Sequence, residues 1–147
     1  MARPGIHLLL TVCTVATLRA AADPIAATDG YKVVVNPGNP VTAVDRAFLR
    51  EAYLRRATDW TGGEPIRPID LATRFAVRER FAADVLRKTP AQLKRYWSQQ
   101  IFSGKGVPPP EAESPAAAVA YVLGNPGAIA YVPIDADTGR AKVIGVR

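Results

Sequence analysis

Thr73, Arg74 and Arg78 are the residues whose types and spacing could best hold a ligand. They stand in the run DLATRFAVRERF, Asp70 to Phe81, where an apolar strand pattern gives way to a helical one. A helix opening near Thr73 or Arg74 would offer unpaired backbone N–H groups, which attract anions, and a guanidinium can grip two oxygens of an oxyanion at once. Arg74 and Arg78 are four residues apart, about one helical turn, so with the Thr73 hydroxyl they would form a cationic corner. Thr42, in the loop VTAVD ahead of another helix, is a further hydroxyl that could approach the same anion. The competing reading needs no ligand: the threonines cap their helices, and the arginines are solvated or paired with acids.

Other constellations carry less chemistry. Ser103-Gly104-Lys105-Gly106 lacks the long glycine-containing approach and the Lys-Ser/Thr ending of a nucleotide-binding loop, so a turn is expected there. Asp135, Asp137 and Thr138 resemble the start of a calcium loop, but Val146 stands where the loop needs a glutamate. Asp59, Glu64 and Asp70 have no spacing that forces two carboxylates together for acid–base work. Basic residues interspersed with acids argue against a nucleic-acid surface. The expectation is a non-enzymatic protein without metal or cofactor, whose basic corner could take a small oxyanion.

The start of the chain bears on the same question. Arg3, the uncharged run Ile6 to Leu18 and Ala20-Ala21-Ala22 read as a signal peptide over residues 1–22, cleaved before Asp23, which puts the remainder in the periplasm or extracytoplasmic space. The apolar run is too short to span a bilayer, which takes about 20 residues, and no later segment is long and apolar enough. Cys13 is a weak lipidation candidate, because Val12 occupies the position where such sites want Gly, Ala or Ser. Cleavage would remove His7 and Cys13, the only histidine and the only cysteine, and with them every thiol nucleophile, disulfide, imidazole base and His/Cys metal site. It would also remove Arg3 and Arg19, taking the 19 basic residues to 17 against 13 acidic ones, a net +4 where the whole chain has +6. Residues 23–147 suffice for one domain with a core and are too few for two ordinary lobes with a cleft between them.

The elements that must position these groups alternate. Tyr31 to Val35 reads as a strand closed by NPGNP, followed by a helix with Phe48, Leu49, Ala52 and Tyr53 on its apolar side and either Thr42 or Asp45 as its cap. Trp60 to Gly63 is a turn, and Ile66 to Leu71 a strand interrupted by Pro68, which is easiest at an edge or bulge. Val77, Phe81 and Val85 mark the helix after Thr73. Thr89, Pro90 and Gln92 form a capping box and first turn for the next, whose Leu93, Trp97 and Ile101 recur every four residues. Ser114 and Pro115 open a fourth helix, Asn125-Pro126-Gly127 ends it, and Ala128–Val132 and Lys142–Val146 are strands. Strands separated by helices imply an α/β fold, a single compact sandwich around a small mixed sheet. Phe81, Val85, Leu93, Trp97, Ile101 and Ile129 are the expected core, with both tryptophans inside.

Taken in order, VVVNPGNPVTAVDRAFLREAYL, WTGGEPIRPIDL, VRERFAADVL, YWSQQIFSGKG and NPGAIAYV resemble the short phosphate ABC transporter substrate-binding-like family of the type 2 periplasmic-binding superfamily. The resemblance covers nearly all of residues 31–132. It implies one lobe of a periplasmic-binding fold, exported and non-enzymatic, with phosphate or another small oxyanion as ligand and an ABC transporter or envelope protein as partner. An alternative function is an envelope accessory or protein-interaction domain that has lost ligand capture. Full-length members hold phosphate with backbone N–H groups, hydroxyls and an arginine next to a Gly-Ser-Gly-Thr sequence. Here Phe81 matches their downstream phenylalanine and the glycine-serine core is absent. Short relatives place Ser-Pro where Phe75 and Ala76 stand, while Val77 to Phe81 are retained.

Overall fold

The computed structural model describes residues 30–147; the signal peptide 1–22 and its cleavage before Asp23 lie outside the described residues. Its centre is β1 (Tyr31–Val35), whose β-branched Val33, Val34 and Val35 are fully buried. Val and Ile pack well on a pleated surface, and a run of them without polar alternation suits a strand covered on both faces. β1 pairs antiparallel with β6 (Ala128–Pro133) and with β7 (Lys142–Val146). A two-residue β2 (Ala43–Val44) adds parallel to β7, and β3 (Arg67–Pro68) adds parallel to β6. The sheet is therefore mixed, with strand order β2-β7-β1-β6-β3. A second, smaller sheet pairs β4 (Asp70–Leu71) parallel with β5 (Glu111–Ala112).

Helices complete the sandwich. α1 (Arg46–Tyr53) buries Leu49, Ala52 and Tyr53, as the sequence pattern requires. α2 (Ala76–Phe81) runs straight into a π-helical turn, Ala82–Leu86, that ends with Arg87 in the left-handed region at φ 55°. α4 (Pro115–Gly124) packs on β6 and β1, and its start is fixed by the Ser114 side chain, which accepts from the Ala117 N–H at 3.0 Å. Within the core, Phe81 of α2 stacks on Tyr131 of β6 with ring centroids 3.9 Å apart, and Tyr53 of α1 meets Phe81 edge-on at 4.8 Å. The Tyr53 hydroxyl donates to the carbonyls of Ile69 and Ile129, at 3.1 and 3.3 Å, so a fully buried phenol is satisfied.

Several expectations change in detail. The Ile66–Leu71 strand is split: Pro68 sits in the edge strand β3, where the N–H groups of Arg67 and Ile69 bond to the carbonyls of Gly127 and Ile129 and the missing proline donor faces away. The chain then turns into β4. Because the Ala72 N–H is held by the Ala112 carbonyl at 3.0 Å, the backbone stays extended to that point, and a turn from Ala72 to Phe75 intervenes before α2. α2 thus starts at Ala76 with Phe75 in the cap position, and Thr73 caps nothing. Asp45, rather than Thr42, occupies the cap position of α1, without a side-chain cap bond.

α3 (Pro90–Phe102) has the expected capping box, Thr89 with Gln92, but no residue of it is buried. Leu93, Tyr96 and Trp97 pack partly against the core, whereas Ile101 is 55% exposed and Phe102 95% exposed. The four-residue stripe therefore covers only the first half of the helix. The second half is mostly exposed, and Tyr96 ties the helix to the body through a hydroxyl bond to the Leu54 carbonyl at 2.8 Å. Of the expected core, Phe81, Val85 and Ile129 are buried, Leu93 and Trp97 are half-buried, and Ile101 lies outside. Trp60 is buried and donates its indole N–H to the Gly127 carbonyl at 3.0 Å.

Candidate functional site

β4, the turn after it and β5 gather the charged groups that the sequence singled out. Arg78, on α2, reaches back to the small sheet. One guanidinium nitrogen donates to the Leu71 carbonyl at 2.7 Å and to the Glu111 carboxylate at 2.6 Å; the other lies 3.1 Å from Asp70. Arg74, in the turn, donates to the Glu113 carboxylate at 2.7 Å and also to the Glu113 carbonyl, and its guanidinium lies 4.9 Å from the Phe75 ring centroid. Glu111 and Glu113 flank Ala112 across a strand, so the period of two turns both carboxylates to the side where the arginines stand.

Asp70 is the inner member of the cluster. The Tyr131 hydroxyl donates to one of its oxygens, and the Leu71 N–H donates to the same oxygen at 2.9 Å. Burial nevertheless pushes its carboxyl above the usual carboxylate range; the Tyr131 bond and the Arg78 charge oppose that shift without cancelling it. Burial beside that carboxylate also raises the Tyr131 phenol, and burial raises Tyr53 well above the ordinary value. The Tyr131 phenol keeps its proton and donates it to Asp70, a bond that holds β6 to β4.

The four sequence candidates do not converge. Arg74 and Arg78 share one corner with three carboxylates, Asp70, Glu111 and Glu113. Thr73 is exposed in the turn beside them. Thr42 precedes β2 at one edge of the five-stranded sheet, whereas Thr73, Arg74 and Arg78 follow β3 and β4 beyond the other; β7, β1 and β6 stand between the two edges. Thr42 instead lines an open cavity of about 280 Å³ with Asp45, Phe48, Trp60, Thr61 and Arg147. Sequence reading allowed that the arginines pair with acids but did not identify Glu111 and Glu113 as the partners. The alternation in Glu111-Ala112-Glu113 was the available signal, but a two-residue strand after three prolines gives no periodicity to detect.

No group of three or more His, Cys, Asp or Glu that could hold a metal ion occurs among the described residues. Among the same residues no helix is long and apolar enough to cross a membrane.

This sheet order, flanked by these helices, defines a fold class: an α/β sandwich around a small mixed sheet, similar to one part of larger solved transport proteins. Solved structures similar to it include a phosphate ABC transporter substrate-binding protein from Clostridium perfringens with bound phosphate (17% identity, TM-score 0.62), an ABC-type phosphate transport receptor from Vibrio cholerae (19%, 0.58) and PstS from Borrelia burgdorferi (10%, 0.60). Each match covers 80% of this chain but only 44%, 46% and 47% of those proteins, so the chain spans less than half of their length. At such identities the likeness establishes the fold. No protein-family profile and no curated protein matches the sequence.

Proposed function

We propose that this chain is an exported, non-enzymatic solute-binding-like protein of an ABC transport system, taking phosphate or another small oxyanion weakly at the Arg74 corner. The observation that carries the reading is the exposed Arg74–Glu113 pair, on a fold similar to part of solved phosphate-binding transport proteins. Their side chains are 58% and 79% exposed, and an exposed ion pair contributes little, so an oxyanion can replace Glu113 at small cost. Thr73 lies beside Arg74 as a second donor. Arg78 is tied to Asp70, Glu111 and the Leu71 carbonyl and serves first to hold β4, β5 and α2 together. One lobe leaves the anion in contact with water, which limits binding to the high-micromolar to millimolar range, on the order of 4 to 6 kcal/mol.

A second reading rests on the same corner: two guanidiniums face three carboxylates, a balance that repels anions when Asp70 is ionised. On that reading the chain is a non-catalytic envelope accessory or protein-interaction domain that has lost capture. Backbone NMR titration with phosphate and sulfate separates the two. Saturable shifts at Thr73 to Phe75 that vanish in Arg74→Ala and weaken with salt support the oxyanion reading. Absence of saturable shifts up to tens of millimolar, an excess over the affinity scale above, supports the accessory domain.

A further inference from the structure

From Val85 to Pro110 the chain carries Arg87, Lys88, Lys94, Arg95 and Lys105 and no aspartate or glutamate. Setting aside Arg3, Arg19, Asp23 and Asp29, which precede the described residues, leaves 17 basic and 11 acidic residues, a net +6 of which this segment supplies five. Among the described residues, Arg87, Lys94, Arg95 and Lys105 form no ion pair. The same segment holds the most exposed apolar side chains of the fold: Phe102 at 95%, Val107 at 61% and Ile101 at 55%.

Their arrangement along α3 is ordered. Lys94 and Ile101, and likewise Arg95 and Phe102, are seven residues apart, two helical turns on one stripe. The basic pair therefore stands about 10 Å behind the apolar pair along the axis. We propose that the free end of α3 and the turn after it dock on an anionic lipid surface. Phe102, Ile101 and Val107 enter the boundary between headgroups and acyl chains, and Lys94 and Arg95 meet the lipid phosphates. With the helix end-on to the surface, this axial spacing sets the apolar tip about 10 Å deeper than the basic pair. Lys105, at the tip, lays its stem along the apolar side and keeps its ammonium among the headgroups.

Charge excludes the nearer alternatives. A second copy would set this positive face against itself, and the apolar run Ile6 to Leu18 is flanked by Arg3 and Arg19, so it brings no complementary charge. An acidic protein satisfies the charge but has no reason to place its apolar contact 10 Å, roughly two helical turns, beyond its acidic one. A bilayer is layered in that order.

The test uses the full chain with phosphatidylcholine vesicles that contain or lack phosphatidylglycerol, following sedimentation and amide hydrogen exchange. Any binding by residues 6–18 is the same for every variant compared. Anionic vesicles should slow exchange across residues 98–107. The double substitution Ile101→Ser/Phe102→Ser should lower partitioning about tenfold or more, because two exposed apolar side chains no longer leave water. Lys94→Gln/Arg95→Gln should lower it about tenfold and flatten its salt dependence. All four side chains are solvent-facing, so circular dichroism should be unchanged. Unaltered exchange at 98–107, or variants that partition like the parent, overturns the proposal. Protection of 98–107 by a bound protein but not by vesicles also overturns it and assigns the surface to a protein partner.

Discussion

Arg78 and Asp70 lie 3.1 Å apart, yet the carboxyl of Asp70 is harder to ionise than a free one, because burial outweighs the guanidinium and the tyrosine bond. In a folded protein such a group binds its proton more tightly than in the unfolded chain. Stability contributed by Asp70 is therefore present below the ordinary value of 3.8 and declines as pH rises from there through the raised value in the fold. Asp70→Asn keeps an acceptor for Tyr131 and removes the titration. Denaturant midpoints measured across the acid range should show the parent losing stability relative to the Asn variant as pH rises; a difference independent of pH would contradict the assignment.

Gly127 is required by space. A Cβ there would lie 1.9 Å from the Pro65 carbonyl oxygen, and the Gly127 carbonyl already accepts from both Trp60 and Arg67. The Glu64 side chain nearby could move aside, but the Pro65 carbonyl is backbone and cannot swing away alone. Gly127→Ala should cost about 1–3 kcal/mol or more by chemical denaturation, with the Trp60 fluorescence shifted as its indole loses its acceptor.

Three aromatic truncations should separate by burial. Phe81→Ala empties a site stacked on Tyr131 and should cost about 3–5 kcal/mol. Trp97→Ala, at a half-buried position, should cost clearly less. Phe102→Ala, at 95% exposure, should fall within about 0.5 kcal/mol of the parent. Equal costs for the three would mean that α3 is packed along its whole length.

Oxyanion binding at Arg74 should be limited by Glu113. If so, Glu113→Gln removes the competing charge and should raise phosphate affinity by roughly two- to tenfold, the scale of an exposed ion pair, with the larger gain at low salt. Calorimetry or NMR titration of the variant reads this directly, and affinity that is unchanged or lower would place any anion contact elsewhere.

Much of the fold was legible because the strongest signals are local. The Val33–Val35 run, the Thr89 capping box and the Ser114-Pro115 helix start each specify their element within a few residues, and the Leu49, Ala52 and Tyr53 stripe fixes the buried face of α1. What the chain cannot announce locally is pairing between distant segments. β5 matters only because Glu111 and Ala112 meet Asp70 and Leu71, and that contact both delays α2 past Thr73 and brings carboxylates to the two arginines. The apolar stripe of α3 misled for a related reason: periodicity tells which side of a helix is apolar, and tertiary structure decides how far along the helix that side is covered.

The edges of the five-stranded sheet constrain assembly. At one edge β2 is two residues long, and at the other β3 is equally short and contains Pro68, which has no N–H to donate. Neither offers the row of unpaired backbone groups on which another chain could add a strand. Self-association by sheet extension, and the fibrous aggregation that begins from it, are thereby discouraged at both ends. A partner that meets β2 or β3 meets side chains there, not a long row of free backbone groups.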